Sequence, residues 1–403
     1  MSEYLILTVL AAFAFLYSVV ASRLERSPIN GALVYVAAGL LCGPAVLRLI
    51  DLNVDSEGIS WLAEITLAVV LFTDSTNANL KVLRKIETIP VRLLLIGLPL
   101  TILLGFGFGV LLFPELHLFE IALLATMLAP TDAALGKAVV TNQSVPSSVR
   151  ESLNVESGLN DGICVPVLLL FLALASGQAT DGDTLGLASH LLVQVIGIGA
   201  VVGLGLGVVG SAILRFCFRR SLIGGTWLQI PVVALALLCF GLAQFLGGSG
   251  FIASFVGGMT FGAIIKKHRE TVLEAAEGSG DVLALLTWFT FGTLLFVPPL
   301  MNLTWQVFAY AVASLTVIRM VPVFLSVAGL GLRTDTKLFV GWFGPRGLAS
   351  IVFAVMVLGE DLPGGDTIVT TAACTILLSV VVHGLSANPL ATSYSKRVGE
   401  AEI

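Results

Sequence analysis

Apolar residues along this chain fall into blocks of about twenty, separated by short polar breaks, and the pattern repeats almost from end to end. Stretches such as 93–112 and 191–212 are long enough to cross a bilayer, which takes roughly 20 apolar residues of helix. Thirteen spans can be laid along the chain, at 4–22, 29–50, 61–79, 91–113, 117–140, 149–176, 188–214, 225–246, 249–265, 281–297, 304–330, 336–359 and 367–391. No stretch between them could hold a soluble domain. The pattern predicts an all-α polytopic membrane protein in which one membrane domain fills residues 1–403. No basic region precedes the first span, which therefore reads as a retained helix and not as a cleaved signal peptide.

Composition agrees. Hydrophobic residues make up 57% of the chain and charged residues only 12%, against about a quarter charged in soluble proteins. Mean hydropathy is +1.00. The net charge of −5 says little, because in a membrane protein the location of charge matters more than its sum. Five dispersed cysteines without a CxxC pair, and four dispersed histidines, suggest neither a disulfide framework nor a bound metal. No cofactor and no nucleic-acid partner is expected.

Cytoplasmic loops collect Lys and Arg, and this tests the span count. With thirteen spans, 18 of the 21 basic residues fall on one side, from Arg23 and Arg26 to Lys396 and Arg397, and only Arg48 on the other. Arg319 and Arg346 lie inside spans. Adding or dropping a mid-chain span would scramble this alternation. The N-terminus is then outside and the C-terminus cytoplasmic, in a cell membrane.

A charge at membrane depth costs roughly 2.5–3.5 kcal/mol by insertion scales and marks a functional site by default. The candidates are Asp132 in span five, Glu156 and Asp161 in span six, Arg319 in span eleven and Arg346 in span twelve. Glu64 and Asp74, near the ends of span three, can reach an interface and weigh less. The bland alternative is that acids and bases pair to hold helices together. Three acids against two bases, however, leave one carboxylate over, which suits a mobile cation or proton.

Span five carries Pro130 before Thr131 and Asp132, and span twelve carries Pro345 between Gly344 and Arg346; a mid-helix proline removes a donor and breaks the ladder. If span seven (188–214) is a linker, residues 4–176 and 225–391 form two six-span halves, and the two interrupted spans are each fifth in their half. Interruptions at corresponding positions point to a transporter's midplane site. Each leaves half-helix ends with partial charges, which Asp132 and Arg346 are placed to neutralise. In span six, Ser157 and Asp161 share one face, as do Glu156 and Asn160. Glu156 and Asp161 lie about 140° apart around the helix, so Glu156 can face Arg319. Asp161, Ser157 and the freed backbone near Thr131 make an oxygen-only cage, suited to hard cations such as Na+ or Li+.

At these residues the chain resembles the NhaP-type sodium/proton antiporters of the monovalent cation:proton antiporter superfamily. The resemblance covers essentially the whole chain. It rests on Leu71-Phe-Thr-Asp74, Thr131-Asp132, Glu156-Ser-Gly-Leu-Asn-Asp161, Gly248-Ser-Gly-Phe-Ile-Ala253, Arg319 before Pro322, Gly344-Pro-Arg-Gly347 and His383-Gly-Leu385. The resemblance implies a thirteen-helix fold of two inverted repeats, a homodimer, and crossed broken helices in spans five and twelve. It makes Asp161 the cation and proton carboxylate and Asn160 its structural partner. Glu156 and Ser157 then help form the cation site, Thr131 and Asp132 supply the break, and Arg319 is the partner of Glu156. The Asn-Asp pair goes with electroneutral exchange. Ala133 stands where the family often has proline, and the chain stops soon after span thirteen, without the long regulatory tail of many relatives.

The expected activity is Na+ (or Li+) for H+ exchange by alternating access. A K+/H+ antiporter of the same fold is the nearest alternative. A channel lacks a reason for paired breaks. An intramembrane enzyme would want a nucleophile with its base, and a receptor would not need five midplane charges.

Overall fold

The computed structural model describes residues 3–24, 30–44, 46–50, 57–77, 88–132, 135, 139, 142, 145–177, 186, 191–265, 269–294 and 303–399. Among the described residues there is no strand. Helices are numbered to match the spans, with a and b for the halves of a broken one. They are α1 (Glu3–Leu24), α2 (Gly31–Cys42), α3 (Glu57–Asn77), α4 (Ile89–Leu112), α5 (Leu118–Met127) and α6 (Ser147–Ala175). After them come α7 (Gly197–Arg219), α8 (Ile230–Phe245), α9 (Gly250–Ile264), α10 (Arg269–Leu294) and α11a and α11b (Trp305–Leu315, Val317–Ser326). The last are α12a and α12b (Thr334–Trp342, Leu348–Leu358) and α13 (Gly365–Gly399). Among the described residues, seven helices are long and apolar enough to cross a membrane by themselves.

Each of these helices overlaps one of the expected spans. Several boundaries move, among them the end of span two, at Cys42 and not 50, and the end of span thirteen, at Gly399 and not 391. Span ten begins at Arg269, well before the expected 281, because Val272, Leu273 and Ala276 pack with Val232 and Leu235 of α8 in one apolar cluster. Span eleven, expected unbroken to 330, ends at Ser326 and is interrupted at Thr316 (φ −115°, ψ −93°). Most of span five beyond Asp132 lies outside the described residues.

Local chemistry sets several helix starts. Asn30, Ser249 and Thr304 each accept a hydrogen bond from a backbone N–H of the first turn that would otherwise lack a partner. At α5, His117 accepts from Phe119 N–H while Glu120 accepts from His117 N–H at 2.9 Å. The second Glu120 oxygen accepts from Gly364 N–H at 2.7 Å, tying the start of α5 to the turn before α13.

The largest apolar core draws on α2, α3, α5, α10, α12b and α13, with Trp288, Phe289, Phe353 and Ile376 fully buried. Elsewhere α7 and α3 pack on α9, and α2 packs along α10. Apolar side chains on α1, α4 and α7, such as Phe15, Leu103 and Val201, point outward. That is the expected arrangement for helices solvated by lipid, where the outer surface is as apolar as the interior.

Candidate functional site

Two breaks meet in the centre of the bundle. Helix α5 stops at Met127, and Ala129–Asp132 continue without helical structure. Helix α12a stops at Trp342, and α12b restarts at Leu348 after Phe-Gly-Pro-Arg-Gly. The two non-helical stretches cross and bond. Asp132 N–H donates to Pro345 C=O at 2.9 Å, and Ser350 Oγ donates to Met127 C=O at 2.8 Å. Each break thereby satisfies backbone groups that the other leaves open, as a buried break requires.

Charge completes the crossing. The Asp132 carboxylate accepts from Leu348 N–H at 2.9 Å, at the positive end of α12b. Arg346 is fully buried; its Nη1 donates to Ala129 C=O (2.7 Å) and Pro130 C=O (3.1 Å), at the negative end of α5. Its Nη2 donates to Ser314 C=O at 3.3 Å, a carbonyl next to the interruption of span eleven.

Helix α6 passes against this crossing. Ser157 Oγ donates to Thr131 C=O at 2.6 Å, and Asn160 Nδ2 donates to Thr131 Oγ1 at 2.7 Å. Asp161 is buried, and its Oδ1 has no hydrogen-bond partner among the described residues; the same holds for Asn160 Oδ1. Such orphan acceptors are rare in a folded interior and call for an explanation.

On the far side of α6, Glu156 forms a bidentate pair with Arg319 of α11b, at 2.5 and 2.8 Å, with both side chains almost wholly buried. Gly344 makes room for it: a Cβ there would sit 2.8 Å from Arg319 Cζ and 3.0 Å from Cδ. Gly347 likewise leaves space for the Asp132 carboxylate. The glycines flanking Pro345-Arg346 thus stand where charged groups press against backbone.

The structure therefore gathers Thr131, Asp132, Ser157, Asn160, Asp161 and Arg346 into one cluster, with Glu156 and Arg319 paired behind it. Asp74 was given little weight by sequence. It is partly buried on α3, with its backbone and Cβ against Gly158 of α6, and within electrostatic range of both Asp132 and Asp161. Its place at the end of Leu71-Phe-Thr-Asp74 was the available signal. Asp161, Asn160, Asp74 and Thr131 bring hard oxygen atoms to this cluster.

Residues 9–393 match the model of the transmembrane sodium/hydrogen exchanger family. The chain belongs to that family. Among these exchangers it is 26% identical over 392 residues to a K(+)/H(+) antiporter NhaP2 of Shewanella sp. strain MR-4, covering 96% of this chain and 66% of that protein. It is 27% identical over 409 residues to Na(+)/H(+) antiporter 2 of Zygosaccharomyces rouxii, covering 90% of this chain and 49% of the relative. The chain thus spans about two thirds of the length of its NhaP2 relatives. In fold it is similar to the sodium proton antiporter MjNhaP1 of Methanocaldococcus jannaschii, with a TM-score of 0.78, 22% identity, and cover of 95% of this chain and 100% of that one. This exchanger-family chain is a multi-pass integral membrane protein with the all-helical MjNhaP1-type fold.

Proposed function

We propose that the protein exchanges Na+ or Li+ for H+ across the membrane, electroneutrally and by alternating access, with Asp161 as the group that takes either ion. The observation that carries this reading is a buried carboxylate oxygen with no hydrogen-bond partner among the described residues, beside two crossed helix breaks whose ends Arg346 and Asp132 already meet. Ionised Asp161 binds the cation with help from Ser157, Thr131 and Asn160. Protonated, it loses the charge and the affinity together. If only loaded forms reorient, the two ions must exchange. Glu156 contributes to the site through Arg319, since both of its oxygens are engaged there.

The same reading takes the thirteen spans as two inverted six-helix repeats around linker α7, with the N-terminus outside and the C-terminus cytoplasmic, in a homodimer. A second reading, K+/H+ exchange, is favoured by one observation, the similarity to proteins named NhaP2 K(+)/H(+) antiporters. Purified protein in proteoliposomes, with Na+, Li+ and K+ supplied separately against a pH-sensitive dye, distinguishes the two. Dequenching by Na+ and Li+ supports the first reading, and dequenching by K+ alone replaces it with the second. No response to any of the three defeats both.

A further inference from the structure

His383 is almost completely buried, and nothing so far has given it work. It lies on α13 one turn after Ser379, also buried, and both face the break in span twelve. In an unbroken helix the Arg346 N–H would donate to the Trp342 carbonyl, four residues back. The break separates these two groups; the Trp342 carbonyl accepts from Gly344 N–H at 2.8 Å, and side chains of α13 meet both groups. Arg346 N–H donates to Ser379 Oγ at 2.7 Å. The Trp342 carbonyl faces His383 Nε2 at 2.9 Å.

Both ring nitrogens of His383 face carbonyls, Nε2 that of Trp342 at 2.9 Å and Nδ1 that of Ser379 at 3.0 Å, and a neutral ring donates to only one of them. With the hydrogen on Nε2 the ring donates to Trp342, and Nδ1 can accept from Ser379 Oγ at 3.3 Å. In that tautomer the serine hydroxyl accepts from Arg346 N–H and donates to Nδ1, and the bonds run from Arg346 through Ser379 and His383 to Trp342 C=O. The Trp342 ring adds a tilted contact with the imidazole at 5.2 Å, and its Nε1 donates to Ser386 Oγ at 3.1 Å.

We propose that Ser379 and His383 are positioning residues: they splice one of the helical hydrogen bonds missing from span twelve, the one between Arg346 N–H and Trp342 C=O, and so hold Arg346 in place on the ends of α5 and α11a. This rests on the proposed exchange activity only for its functional consequence, since the splice itself is a matter of geometry. A buried N–H or C=O left alone is costly, on the order of 1–3 kcal/mol. Without the splice, the break relaxes and Arg346 loses its register with the Ala129 and Pro130 carbonyls.

The test uses the full chain, purified and reconstituted, with three variants. Ser379→Ala removes the acceptor for Arg346. His383→Leu removes the donor to Trp342, and His383→Gln keeps an amide N–H near the Nε2 position. Hydrogen–deuterium exchange over residues 343–350 reads the splice without any transport. Ser379→Ala and His383→Leu should speed exchange there by about tenfold, while His383→Gln stays near wild type. In proteoliposomes the first two should lower the maximal exchange rate about tenfold with little change in half-saturating cation, and His383→Gln should restore most of it. Unchanged deuterium uptake in both Ser379→Ala and His383→Leu overturns the splice. Faster uptake with undiminished transport, or failure of His383→Gln to rescue either readout, overturns the positioning role. If His383→Leu does not fold, the comparison of Ser379→Ala with His383→Gln decides alone. A wild-type protein that moves no monovalent cation against protons defeats the proposed activity, and the deuterium arm still judges the splice.

Discussion

Leu348 N–H donates to the Asp132 carboxylate at 2.9 Å, so the acid of one broken span serves as the cap of the other's second half. A charged group at a helix N-terminus contributes about 0.3–1 kcal/mol at an exposed site and up to ~2 in a partly buried one. Asp132→Ala removes both the acceptor and the charge and should lower thermal stability by about 1–2 kcal/mol. Asp132→Asn keeps an acceptor and should recover part of that loss. Detergent melting curves of the two variants check this. Equal losses would mean that the hydrogen bond to Leu348 contributes nothing beyond the charge.

Asp161→Asn should abolish cation-driven proton movement in vesicles while the protein remains folded. The amide is nearly isosteric with the carboxylate but can neither carry a proton between states nor bring a negative charge to a cation. Wild-type exchange rates in this variant would remove Asp161 from the centre of the proposed mechanism.

The Glu156–Arg319 pair separates stability from transport. Removing one member leaves the other buried and uncompensated, at a cost of roughly 3–5 kcal/mol. Glu156→Gln and Arg319→Met should each lower the melting temperature, and the double variant should recover part of the loss. Its transport should recover less, because Glu156 lies on α6 one residue before Ser157. Simple addition of the two single losses would show that the residues are not coupled in the membrane.

Gly344→Ala tests the close approach of the Arg319 guanidinium. The new methyl would lie 2.8 Å from Cζ, inside contact distance, and must displace it. Overpacking of this kind costs typically about 1–3 kcal/mol. The melting temperature should fall, and by less in an Arg319→Met background, where the side chain is flexible and uncharged.

Electroneutral exchange predicts that clamping the membrane potential with valinomycin and K+ leaves the Na+/H+ exchange rate nearly unchanged. The motivation is Asn160, which donates to Thr131 Oγ1 where a second acid would bring another charge. A steep voltage dependence would show that a further charge moves with the cycle.

Much of this arrangement is legible in the residues themselves. Helix positions follow from apolar blocks of bilayer length, and the breaks in spans five and twelve follow from Pro130 and Pro345, whose missing donors are local facts. The interruption at Thr316 is not legible, because no proline or glycine marks it. There the Ser314 carbonyl turns to Arg346, more than thirty residues on, and tertiary contact overrides local propensity. Asp74 is undervalued for a related reason. Its position near the end of α3 suggests access to an interface, but α3 packs against Gly158 of α6, beside the Asp161 cluster. The fusion of the two breaks into one unit depends on Asp132–Pro345 and Ser350–Met127 bonds between residues over 200 apart, which no spacing rule reveals.

The short half-helices also constrain how the protein is made. Helix α5 has 10 residues, α12a has 9 and α12b has 11, so each is about 14–17 Å long, roughly half a hydrocarbon core. None can cross the bilayer unaided, and each ends in backbone groups that lipid cannot satisfy. The bonds from Arg346 to the Ala129 and Pro130 carbonyls can form only after Arg346 has been made, some two hundred residues later. Closing the centre of the molecule therefore requires that both halves of the chain be in the membrane.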